Sequence, residues 1–128
     1  MQAEIRVGDT AQVARRYTTG DLAGLSALAG VPAVSFDHVP EPLVGALFSY
    51  LLGVELPGRG TNYLKQEITF IHPVPIGEEV RATVTVTRLR PDKHLCDLAT
   101  VLTGADGRRL AEGRALVLVR DVGAAAHG

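Results

Sequence analysis

The run from Glu79 to Arg90 alternates apolar and polar residues as far as Thr87: Val80, Ala82, Val84 and Val86 fall on one side, Arg81, Thr83, Thr85 and Thr87 on the other. Only an extended backbone turns every second side chain to the same face, so this run predicts a strand with one buried and one wetter face. Thr61 to His72, His94 to Thr103 and Arg109 to Arg120 read as further strands. Pro91-Asp92-Lys93 and Gly104-Ala105-Asp106-Gly107 carry turn chemistry between them, so the last three strands read as an antiparallel meander. An earlier strand runs from Thr10 to Thr18, after the Gly8-Asp9 turn.

Two segments have a different period. Thr18-Thr19-Gly20-Asp21 supplies cap and first-turn signals ahead of Leu22, Leu25 and Leu28, which share one face of a short helix ending at Gly30. Residues 31–40 have no helical period and are punctuated by Pro32 and Pro40, so they read as a loop. Glu41-Pro42 then opens a second helix, where proline loses nothing and a carboxylate meets the positive end of the helix dipole. Leu43, Val44, Ala46, Leu47, Phe48, Tyr50, Leu51 and Leu52 make it apolar nearly all round, and the helix is expected to stop at Gly53 and to be enclosed on most sides. A long antiparallel sheet and one strongly apolar helix both bury themselves if the sheet curves around the helix, which predicts an α+β fold. Open edges of so small a sheet are commonly sealed by a second copy, so a homodimer is expected.

Length and charge narrow the function. A chain of 128 residues, 46% of them hydrophobic, can build one core, so residues 1–121 are expected to form a single domain with 122–128 as a small-residue tail in which His127 has no role. A net charge of −1, with no long run of like charge, offers no field for nucleic acid or for an acidic membrane surface. No apolar stretch reaches the ~20 residues of a membrane span, and the N-terminus lacks signal-peptide character, so a cytoplasmic protein is expected. Cys96 stands alone in an apolar run and reads as packing. His38, His72, His94 and His127 show no metal spacing, and no cofactor is expected.

The order of these elements, together with Leu47-Phe48-Ser49-Tyr50-Leu51-Leu52-Gly53, Leu56-Pro57-Gly58-Arg59-Gly60, Tyr63-Leu64-Lys65-Gln66-Glu67-Ile68-Thr69-Phe70 and Pro73-Val74-Pro75-Ile76-Gly77-Glu78-Glu79-Val80, resembles the MaoC-like dehydratases and (R)-specific enoyl-CoA hydratases of the hotdog superfamily. The resemblance runs from about Val7 to Val119 and is specific between Leu47 and Val80. It implies a sheet wrapped around one buried central helix, and a substrate carried as an acyl thioester of CoA or of acyl-carrier protein. It also implies that Leu56, Pro57, Gly58, Gly60, Tyr63 and Gln66 shape the loop and wall of the binding groove. The family's catalytic Asp and His, five positions apart after the first helix, fall here on Val31 and Phe36, and neither side chain moves a proton. Where the family begins its buried helix with a His-Gly-Met type sequence, this chain has Val39-Pro40-Glu41-Pro42.

Replacement acid and base groups are offered by Asp37, His38 and Glu41, a cluster in the loop leading into the buried helix. An imidazole at His38 is suited to general base work, with Glu41 better placed than the adjacent Asp37 to orient it. The same three residues also fit a plainer description: Asp37 capping a turn, His38 exposed, and Glu41 complementing the dipole. His72 and His94, at strand ends, read as surface groups, and Asp21 as a helix cap. Three readings therefore stay open: a dehydratase or hydratase with rearranged residues; a non-catalytic thioester-binding subunit, alone or paired with a catalytic paralogue; and a thioesterase using Glu41.

Overall fold

The computed structural model describes residues 5–22, 38–58 and 61–119, apart from the side chains of Thr61 and Tyr63. Leu25, Leu28, Val31, Phe36, Asp37, Gly60 and the tail 122–128 lie outside the described residues.

Five strands form one antiparallel sheet: β1 (Thr10–Arg16), β2 (Thr61–Phe70), β3 (Glu79–Arg90), β4 (Leu95–Thr103) and β5 (Arg109–Val119), in the order β1-β3-β4-β5-β2. Alternation in the sequence becomes alternation in burial. Val80, Ala82, Val84 and Val86 of β3 are at most 1% exposed. Ala82 sits in register with Val13 of β1 on one side and Leu102 of β4 on the other, which makes β3 the bridge between the meander and the N-terminal strand. Cys96, Leu98, Thr100 and Leu102 line the same inner face on β4. Burial pushes the Cys96 thiol up to about 12, so at neutral pH it stays a protonated packing group.

The central helix α1 (Glu41–Tyr50) lays Val44, Leu47 and Phe48 into this core. It does not stop at Gly53. Residues Leu51–Glu55 continue as a wider π turn, in which the Leu56 N–H donates to the Leu51 carbonyl at 2.9 Å, and the Gly58 N–H donates to the Leu52 carbonyl at 2.9 Å. Leu51 and Leu52, both fully buried, hold the backbone coiled past the glycine. The coil ends at Leu56, which is extended with φ of −156° and ψ of 115°, and Gly58, with φ of 91°, takes the left-handed turn after it. Nor is the helix enclosed on most sides in one chain: Ala46, Tyr50, Gly53 and Val54 are exposed, because the sheet covers a single face.

Ahead of α1, residues 19–22 begin the predicted first helix. Thr18 and Asp21 cap each other: the Asp21 N–H donates to Thr18 Oγ1 at 3.2 Å and the Thr18 N–H to Asp21 Oδ2 at 2.8 Å. That backbone donor holds the Asp21 carboxyl below the usual aspartate range, so Asp21 is the cap its position suggests. Among the described residues no helix is long and apolar enough to cross a membrane.

Candidate active site

Val39 is the pivot of the site. Its side chain is 1% exposed, and its N–H donates to the carbonyl of Val74, equally buried, at 2.8 Å. This one bond fastens the segment leading into α1 to the segment leaving β2. His38 precedes it and Glu41 follows it, both with exposed side chains. On the facing segment the N–H groups of Ile71 and His72 both donate to the Leu110 carbonyl, at 2.8 and 3.2 Å, which fixes the backbone where His72 emerges. The result is a groove of about 220 Å³ lined by His38, Val39, Glu41, Phe70, Ile71, His72, Pro73 and Val74. That is below the roughly 300–1,000 Å³ of pockets enclosing a whole drug-sized ligand, so it suits the reacting end of a substrate.

His72 is exposed, as its position at a strand end suggests, but it is not an isolated surface group, because it shares this groove with His38 and Glu41. Sequence reasoning missed the meeting because the signal is tertiary: the Val39–Val74 bond joins two segments far apart in the chain. His94 is exposed and lies outside the groove, in a left-handed turn with φ of 56°.

The start of α1 offers few donors to an anion. Pro40 and Pro42 have no N–H, and the Leu43 N–H is committed to the Pro40 carbonyl at 3.0 Å. The Glu41 N–H is what remains in the first turn to meet an oxyanion, with the Glu41 carboxylate beside it.

Four of the residues expected to shape the loop and wall of a binding groove are described, and they lie apart from the groove of His38. Leu56, Pro57 and Gly58 are buried beyond the far end of α1, about 20 Å from its start at ~1.5 Å per residue. Gln66 of β2 is half-buried, and its Nε2 is enclosed without a hydrogen-bond partner. None of these four lines the groove of His38, Glu41 and His72. A larger, more apolar groove of about 470 Å³ runs between β1 and α1, lined by Val13, Leu43, Ala46, Leu47 and Tyr50 among others, with Arg15 and Tyr17 at one end. The Tyr17 hydroxyl donates to the Leu43 carbonyl at 3.2 Å and ties β1 to the helix. Burial raises the Tyr17 phenol, partly offset by the Arg15 guanidinium 5.5 Å from its ring centre. The exposed Ala46 and Tyr50 on a mainly apolar helix are the sequence's only trace of this groove.

A five-stranded antiparallel sheet in this order, packed on one central helix, defines the class as hotdog. No family model matches the chain. An (R)-specific enoyl-CoA hydratase of Aeromonas caviae is 35% identical over 126 residues, covering 88% of this chain and 94% of that protein. Another, of Rhodospirillum rubrum, is 35% identical over 129 residues, covering 91% and 89%. The solved structure of an (R)-hydratase from A. caviae superposes with a TM-score of 0.80 at 34% identity, covering 90% of this chain and 97% of that one. The chain belongs to the (R)-specific enoyl-CoA hydratase family, within the MaoC-like branch of the hotdog superfamily.

Proposed function

We propose that this protein acts on acyl thioesters of CoA or of acyl-carrier protein, adding water to an enoyl thioester or removing it from a 3-hydroxyacyl thioester, with His38 and Glu41 in place of the family's Asp and His. The observation that carries the reading is the groove shared by His38 and Glu41 at the start of the central helix. His38 is the base that deprotonates water, Glu41 orients its imidazole, and the Glu41 N–H meets the thioester oxygen as charge develops there. Asp37, next to His38 in sequence, is the reserve carboxylate. Leu56, Pro57, Gly58, Gly60, Tyr63 and Gln66 are assigned to the wall that receives the rest of the thioester, and the apolar groove along α1 has the volume and lining for an acyl tail. We place this activity in the cytoplasm, in a homodimer joined along an open sheet edge.

A second reading has its own support. Val31 and Phe36 stand where the family carries its proton-moving pair, which suits a non-catalytic subunit that binds thioesters or pairs with a catalytic paralogue. Purified protein given a short-chain enoyl-CoA separates the readings. Loss of the enoyl absorbance without free thiol is expected, and His38→Ala and Glu41→Gln should each slow it about 100-fold or more. Thiol release would instead make Glu41 the base or nucleophile of a thioesterase. Binding with no turnover across a panel of enoyl and acyl thioesters would favour the non-catalytic subunit.

A further inference from the structure

We propose that His72 is the second proton-transfer group of this site, working as the acid opposite His38; the inference rests on the hydratase reading above. Addition of water across a double bond needs one group to take a proton and another to give one, and a base with an orienting carboxylate supplies only the first. His38 and His72 flank the same backbone hydrogen bond: His38 is one residue before its donor, Val39, and His72 two residues before its acceptor, Val74. His72 is anchored on both sides, by its own N–H on the Leu110 carbonyl and by Pro73 and the buried Val74 after it. These contacts pin the backbone from which the exposed His72 side chain reaches the groove. Among the described residues, Glu41 is the other titratable group lining the groove, from α1; the remaining described walls, Val39, Phe70, Ile71, Pro73 and Val74, carry none.

The step balances with these two imidazoles alone. Neutral His38 takes one proton from water, and the water oxygen bonds to the β-carbon. The electron pair of the double bond moves toward the α-carbon and the thioester oxygen, and imidazolium His72 delivers its proton to the α-carbon. His38 then holds the proton that His72 lost, and exchange with solvent resets both. Dehydration is the same path reversed. Activity therefore requires one imidazole neutral and the other charged, which gives a pH profile with two limbs.

The test is hydration of a short-chain enoyl-CoA by the full chain, its His38→Ala variant, and His72→Ala and His72→Asn, each across about pH 5 to 9. We expect both His72 variants to lose about 10²–10⁴-fold in kcat with KM little changed, to lose one limb of the pH profile, and His72→Ala to recover activity with added free imidazole. If His72→Ala does not fold by circular dichroism, the Asn variant decides the matter. Full kcat and an intact two-limbed profile in a folded His72 variant, alongside an inactive His38→Ala, would overturn the role of His72 and leave the hydratase reading standing. A wild-type protein that hydrates nothing would overturn both.

Discussion

Gly113 shows how much a single residue can decide in this sheet. It lies in β5 opposite Ile68 of β2 and Thr100 of β4, and a Cβ placed on it would run into the backbone carbonyl of Glu67. A backbone obstacle cannot rotate away as a side chain can. Gly113→Ala is therefore expected to cost about 1–3 kcal/mol, read as a lower urea midpoint. Gly45, inside α1, is the contrast: a Cβ there meets nothing within 4 Å, so Gly45→Ala should gain about 0.5–1 kcal/mol from helix propensity. Neither outcome is legible in the sequence, where each is one glycine in a regular element. The same holds at the site. His38 and Glu41 could be singled out because they neighbour each other in the chain, whereas His72 needed the Val39–Val74 contact to join them.

At the scale of elements the sequence is far more legible. Expected strand limits fall within about two residues of those seen, because a period of two and turn residues act locally. The coil runs past Gly53, a helix breaker by propensity alone, because burial of Leu51 and Leu52 outweighs that propensity and carries the coil to Glu55. A second tertiary link holds the turn before β3 to the β4–β5 hairpin: Arg108 donates to Glu78 at 2.9 and 3.1 Å and to Asp106 at 2.8 Å. The Arg108 guanidinium, with the Ala105 N–H, holds the Glu78 carboxyl below the usual glutamate range. A depressed carboxylate stabilises the fold at pH above its unfolded value, and loses that contribution as pH falls through its folded value. Glu78→Gln should therefore lower Tm at neutral pH, and the gap from wild type should close as the pH drops through about 4 and below. Salt should narrow the gap, since the pair is solvent-accessible.

For the whole molecule, local signals fixed the β3-β4-β5 meander but not what lies outside it. β2 precedes β3 in the chain yet pairs with β5, while β1 takes the free side of β3, so the two edges are β1 and β2. Only packing on the helix settles that choice. An edge strand ten residues long, with Leu64 54% exposed, is a surface that another copy can extend. Sedimentation at micromolar concentration is expected to give about twice the 13.6 kDa chain mass; a monomer would remove edge pairing from the picture. The Val39–Val74 bond also has a use beyond holding two segments together. Its amide can swap hydrogen for deuterium only when the segments part, so the exchange rate at that one position is an intrinsic clock for the opening of the groove, readable with no substrate and no activity at all.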